Sequence, residues 1–308
     1  MSISSEWVLF GVQLGGSTLF SQLTDTGMNP QLETIVARGA SAVNPQFKGQ
    51  VAAAPEAKFT TQQLATLLGL TGNNSWYGIS GTIDLLYRRR VYLGSRYAPN
   101  TTNHLRLRGQ AGILRWDTIR AADKGQAEAQ CTLTIISDGT NPMLAYAGSV
   151  NLGSLVPTSA EHYVMGPCYI NDTLLPALQE WSFASNAQVR VDRDSGLNYP
   201  TFASVDTGEP VFTGRTLDNS LWSTHGFDFK ALTSARVFLR ALGVSGPVAD
   251  ATTSHIKLAN NSGSTPPALK HLDENAGADG NASNGFELHF IDPVADAPLA
   301  VSVGVAIA

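Results

Sequence analysis

Charged side chains make up only 15 % of this 308-residue chain, and cysteine occurs twice. Cys131 and Cys168 stand far apart with no CxxC spacing, which argues against a disulfide framework or a thiolate zinc site and leaves two buried thiols as the expectation. No apolar stretch reaches the length of a membrane-spanning helix; the C-terminal run 298–308 is too short. The opening residues, Met1 to Trp7, lack the basic region and apolar run of a secretory signal, so synthesis in a cytoplasm is expected.

Catalytic signatures are missing as well. The histidines at 104, 162, 225, 255, 271 and 289 form neither HExxH nor HxH, and GxSxG, Walker and GxGxxG motifs are absent. The stretch from Asp273 to Gly280 lacks the alternating ligands and closing Glu of a calcium loop. Nothing nominates a carboxylate pair for acid–base work. The reading is of a protein that is not an enzyme, with no catalytic residue, cofactor site or metal site.

What the sequence does contain is itself, twice. Shifting 163–210 back by 155 positions lays it on 8–55 without a gap. The identities are Gly11/Gly166, Thr18/Thr173, Leu19/Leu174, Leu23/Leu178, Val36/Val191, Arg38/Arg193, Pro45/Pro200, Phe47/Phe202 and Pro55/Pro210. Glycine, proline and phenylalanine, which fix backbone geometry or fill cores, dominate the later pairs. Downstream, 103–107 reads against 254–258, so that His104 and His255 take matched strand positions and a fold role is expected for both. The expectation is two tandem domains, 1–150 and 161–308, joined by a linker at 151–160 rich in Gly, Pro and Ser.

Each copy reads as many short strands and one short flanking helix, the pattern of a β-sandwich or partial barrel. In the first copy, strands are expected at 7–12, 33–36, 82–87, 104–107 and 129–137, and the turn at 138–139 and the stretch 142–147 close the copy. In the second, they are expected at 163–165, 173–175, 188–191, 236–240, 255–258 and 286–291, with a half-buried strand alternating from Val301 to Ile307. Thr60 to Leu68 predicts a helix with Thr60 as N-cap and Gln63 three residues on; 216–222 predicts a weaker one. Segments 37–54 and 192–209 read as long polar loops and 259–285 as a long exposed loop. Trp116, Trp181 and Trp222 fall in or beside strand and helix readings rather than on loops.

Charge divides unevenly. Residues 1–155 carry 12 basic against 9 acidic side chains, and 156–308 carry 8 against 16. Arg88-Arg89-Arg90, flanked by Tyr87 and Tyr92, is the one basic run. In a net acidic chain it suits a carboxylate-bearing neighbour better than a nucleic acid. Arg88, Arg89, Arg90, Arg106 and Arg108 are therefore the candidate basic contacts between unlike copies, facing acids among Asp192, Asp194, Asp206 and Glu209.

The stretch Tyr163 to Leu174, with its Gly166-Pro167 turn and Asn171-Asp172-Thr173 hairpin, resembles the opening strand of phage major tail proteins, the subunits of the tail tube. Tyr199 to Phe202, the loop to Pro210 and the helix-like segment beyond resemble that family in order; the first copy is similar in layout. Some long-tailed phages have tube proteins of two fused domains. The resemblance implies a virion structural protein, made in the bacterial host cytoplasm, that assembles with itself into trimeric, pseudo-hexameric rings stacked as a conduit for DNA. It further implies a barrel closed across subunits, a mildly acidic lumen, and loops 37–54 and 192–209 reaching the adjacent ring. Its other partners would be tail proteins at the tube ends and a tape-measure protein and DNA in the lumen, bound without sequence specificity, with no membrane. The alternatives are a β-sandwich receptor- or glycan-binding module of a virion, or another ring component such as a tail terminator or baseplate part.

Overall fold

The computed structural model describes residues 5–29, 32–37, 47–91, 96–97, 103–138, 143–152, 161–194, 197, 199–206, 208–218, 220–225, 230–261, 266–275, 283–291 and 298–307. The chain is mainly β, with two short helices among these residues. The first half contributes β1 (Ser5–Leu14), β2 (Thr18–Phe20), β3 (Leu23–Asn29), β4 (Leu32–Ala37), β5 (Phe47–Ala53) and β6 (Glu56–Thr61). After α1 (Leu64–Thr71) come β7 (Trp76–Ile79), β8 (Ile83–Val91), β9 (Arg96–Tyr97), β10 (His104–Gly109), β11 (Ala111–Ala122), β12 (Glu128–Ile136) and β13 (Ala145–Val150). The second half opens with β14 (Tyr163–Ile170), β15 (Thr173–Leu175), β16 (Leu178–Ala184), β17 (Gln188–Asp192), β18 (Phe202–Asp206) and β19 (Val211–Thr216). Then follow α2 (Ser220–His225), β20 (Lys230–Ala231), β21 (Ala235–Gly243), β22 (Gly246–Pro247), β23 (His255–Asn260), β24 (Ala268–Asn275), β25 (Ser283–His289) and β26 (Leu299–Val305).

Adding thirteen to each strand number of the first half reproduces every pairing in the second. One outer sheet runs β13-β10-β8-β1-β2, with β9 on β8; the other runs β26-β23-β21-β14-β15, with β22 on β21. Isolated two-stranded arms, β4-β5 and β17-β18, pair Ala37 with Phe47 and Asp192 with Phe202, so the two phenylalanines start their strands at one register. The remaining strands form one ten-stranded sheet, β20-β24-β25-β19-β16-β11-β12-β6-β3, with β7 on β11. Its one pairing without a counterpart is β11 with β16, where the halves meet.

One face of this central sheet packs on both outer sheets. Trp116, Phe183, Phe212 and Phe286 from it join Val12, Leu85, Val237 and Leu239 from the outer layers in a single apolar core. Burial of each such side chain contributes roughly 1.5–3 kcal/mol. Gly166 permits close approach: a Cβ there would lie 2.5 Å from the Phe238 carbonyl oxygen. His104 and His255 are both fully buried, and their Nδ1 atoms accept from the amides of Arg89 (3.2 Å) and Ala241 (3.0 Å). They tie adjacent strands together in the same way.

Several sequence expectations are corrected. Thr60 and Thr61 do not open a helix; they complete β6, paired with both β3 and β12. Helix α1 starts at Leu64, has no side-chain cap from Gln63, and runs through Gly69 to end before Gly72, which takes a positive φ of 57°. Gln63 instead accepts from the amides of Ser21 and Gln22. Thr216 likewise ends β19, and α2 lies four residues later. Segments 37–54 and 192–209 are not loops throughout, since Phe47–Ala53 and Phe202–Asp206 are strands of the arms; positions 38–46 lie outside the described residues. Segment 259–285 carries β24, whose Leu269 is fully buried. Strand β26 buries Leu299 but does not alternate cleanly. Most of the expected linker, 153–160, lies outside the described residues.

Candidate functional site

The joint between the halves shows what the edges of the central sheet can do. Thr118 to Ala122 of β11 pair with Ala184 to Glu180 of β16. Two further backbone bonds, Asp123 N to Gln179 O at 2.7 Å and Ser185 N to Asp117 O at 3.0 Å, extend the ladder. Beneath it Trp116 stacks on Phe183 with centroids 5.7 Å apart, and Trp181 packs on Phe212 at 5.4 Å. A carboxylate clamps the outside. Glu161, at the start of the second half, accepts from the amides of Ala65 (2.7 Å) and Thr66 (3.2 Å), two of the unsatisfied donors at the N-terminus of α1. Its own amide donates to Gln22 Oε1 at 3.2 Å, and Asn73 Oδ1 accepts from the Val301 amide at 2.9 Å.

The same sheet ends in two open edges, β3 and β24. Along its edge, β11 carries β7 over Gly112 to Arg115 and then β16 over Thr118 to Ala122. Strand β24 carries β20 at Ala268 and Leu269; among the described residues its stretch to Asn275 is paired on the β25 side alone. Among the described residues, strand β3 is paired with β6 alone. Exposure follows this difference. β16 buries Trp181 and Phe183, whereas the positions 155 earlier on β3 are Thr26 and Met28, both partly exposed. Unpaired edges of this kind are templates for further pairing. Strand β13 is exposed along most of its length, with Tyr146 at 72 %, while its counterpart β26 lies against α1.

Among the described residues, the basic and acidic candidates singled out in the sequence lie on different elements, the arginines on β8 and β10 and the acids on or near β17, β18 and β19. Arg108 holds Asp84 through two bonds of 2.6 and 2.7 Å, and Arg106 lies 3.9 Å from the same carboxylate. The hydrogen bond to Asp84 pushes the Arg108 pKa up. Arg88 lies over the Phe10 ring at 5.4 Å, and Arg89 is half-buried on the same strand; the Arg90 side chain lies outside the description. The acids cluster elsewhere. Asp206 pairs with Arg190 across the second arm (3.3 Å), Asp194 accepts from Thr201 Oγ1 (2.8 Å), Asp192 is exposed, and Glu209 meets His289 (2.6 Å). None of the nine lies in the β11–β16 ladder. Sequence reasoning missed Glu161, although a glutamate, Glu6, stands 155 positions earlier in the sequence.

The outward face of the central sheet is a field of ion pairs. Lys270 meets Glu287 (2.9 Å), Arg215 lies between Glu180 (3.7 Å) and Asp273 (3.5 Å), Arg115 meets Asp117 (2.8 Å), and Arg120 meets Glu128. Burial alone would raise the pKa of Glu287, but hydrogen bonds from Lys270 and His289 hold it below the ordinary value. A shallow hollow of about 450 Å³ lies over the joint, rimmed by Arg120, Glu180 and Arg215. Cys131 and Cys168 are free and buried, and burial pushes the Cys168 thiol up to about 12. Among the described residues no group of three His, Cys, Asp or Glu side chains is placed to hold a metal ion, and no helix is long and apolar enough to cross a membrane. Comparison with protein-family models and with curated protein sequences finds no match for this chain.

Proposed function

We propose that the chain is two tandem copies of one β domain and that it assembles with itself into closed, stacking rings: a structural subunit of a tail-type tube, not an enzyme. One observation carries the reading. The strands at the two open ends of the central sheet, β24 and β3, have as counterparts β11 and β16, the pair that joins the halves in its middle. Repeating that joint between chains continues the sheet head to tail. Such heterologous contacts close into a ring when the rotation allows, and closure leaves no sheet edge. Three chains would supply six domains, the pseudo-hexameric ring of the tube proteins that the sequence resembles.

The exposed face of the sheet suits the inside of a DNA conduit. Its arginines and Lys270 lie beside carboxylates, so it offers few uncompensated cations to phosphates, whose neutralisation drives nonspecific DNA binding. The exposed β3 and β13 then become surfaces covered by the next chain. Negative-stain microscopy with native mass spectrometry tests the reading: rings of three chains, some stacked, are expected. Monodisperse single particles at high protein concentration would contradict it and favour a monomeric binding module.

A further inference from the structure

Two features, one beyond the end of β16 and one beside the start of β3, match in size and charge. The first is the second arm, β17-β18. Phe202 is 67 % exposed there, on a strand that among the described residues pairs with the other strand of the hairpin alone. Asp192 is its register partner, so both side chains leave one face of the hairpin with Cβ atoms about 5 Å apart. The arm therefore presents a phenyl ring beside a carboxylate.

The second feature is a hollow of about 210 Å³ walled by Val8, Leu9, Phe10 and Leu23, with Ser21 and Arg88 completing it. A cavity of about 150 Å³ accepts a benzene ring, so a phenyl side chain fits. The Arg88 guanidinium over Phe10 adds a cation beside the apolar walls, and Ser21 adds a hydroxyl. The ends are also right for stacking. The arms leave the sheet after Asn29 of β3 and Ala184 of β16, whereas the hollow adjoins Leu23, at the other end of β3. Seven strand residues separate those ends by roughly 20 Å. An arm that leaves one side of a ring would thus meet the hollow on the facing side of the next.

Neither counterpart offers the same match. The first arm sets Ala37, not an acid, opposite Phe47. In the second half, the positions 155 later than Val8 and Phe10 are Tyr163 and Met165, so the walls of the hollow are not repeated there. We propose that Phe202 of one chain seats in the Val8–Phe10–Leu23 hollow of a second copy in the adjacent ring, with Asp192 against Arg88. The inference rests on the ring reading and adds a rotational rule to it: the second arm of each chain lies over a first half of the next ring.

The test uses the full-length chain under tube-forming conditions. Phe202→Ser removes an exposed side chain and should leave rings intact while reducing stacked tubes at least tenfold by microscopy. Asp192→Arg should weaken stacking likewise, and adding Arg88→Glu should restore it. Because Arg88 is half-buried and its variant could misfold, a second measurement stands apart. Benzoyl-phenylalanine in place of Phe202 should photo-crosslink between chains to peptides containing 8–10 or 21–23. Normal tubes from Phe202→Ser, or cross-links only to other peptides, would overturn the seat while leaving the rings. If the unsubstituted chain forms no rings, the ring reading fails and the seat fails with it.

Discussion

Strands β16 and β3 hold the same place in the pairing order of their halves, yet one is a core strand and the other an edge. β16 buries Trp181 and Phe183 against β11 and β19; β3 offers Thr26 and Met28 at those positions and, among the described residues, has one neighbouring strand in the sheet. A joint made once during folding can be apolar and permanent. In the proposed ring, an edge that waits for its partner would carry smaller or more polar groups, because an exposed hydrophobic edge invites aggregation. The contrast teaches that the two joints of the proposed ring need not be equally strong, even when their strands align.

The largest effects should separate the joints by stability. Trp116→Ala or Phe183→Ala, each removing a fully buried aromatic from the middle joint, should cost about 3–5 kcal/mol in urea unfolding. Met28→Ala at the open edge should cost about 1 kcal/mol or less in the isolated chain. Equal losses would erase the contrast.

The next effect concerns the glycines of β14 and β1. Gly166→Ala drives a Cβ to 2.5 Å from the Phe238 carbonyl oxygen and should destabilise by about 1–3 kcal/mol. At Gly11 the nearest atom is the flexible end of Leu19 at 3.0 Å, so Gly11→Ala should cost less; the reverse order in thermal unfolding would count against the geometry.

A smaller effect, about 1 kcal/mol, is expected where helix ends are served differently. Glu161→Ala takes the clamp from α1, while α2 takes its acceptor locally, from Asp218 to the Ser220 amide (3.1 Å). Hydrogen exchange should speed in α1 and remain unchanged in α2. The smallest effect is one of pH. Glu287 is held below the ordinary glutamate value of 4.5, so its contribution is present above that value and lost as pH falls through the lower, folded-state pKa. Lys270 is half exposed, so the contribution is only a fraction of a kcal/mol, and Lys270→Met should flatten the acid limb of the stability curve slightly.

Much of the fold was legible where apolar residues meet turns. β15 matches its expected residues, and β12, β17 and β23 lie within two residues of theirs. The start of α1 was not legible: Thr-Thr-Gln-Gln resembles a capping box, but β-branched Thr60 and Thr61 serve the sheet, and the acceptor arrives from Glu161 far along the chain. β24 escaped because it lies toward one end of the sheet and turns polar beyond Leu269, which hides a strand among loop residues. The second arm escaped because neither of its strands is buried against the body, so no alternating pattern marks them. Of the candidate site, the matched segments 155 positions apart were visible in the sequence, but the joint was not. Register across β11 and β16 depends on strands that pair between halves, and no local spacing encodes that.

The most direct test is therefore of register between chains. Moving the Ile119–Phe183 pairing by 155 positions puts Glu274 of one chain opposite Met28 of the next. In a chain carrying Met28→Cys and Glu274→Cys, with Cys131 and Cys168 buried, mild oxidation should link chains head to tail and yield a covalent closed trimer on a denaturing gel. Each single-cysteine control should remain monomeric. Failure of the double variant to form inter-chain disulfides, or random ladders matched by the single-cysteine controls, would contradict the proposed joint.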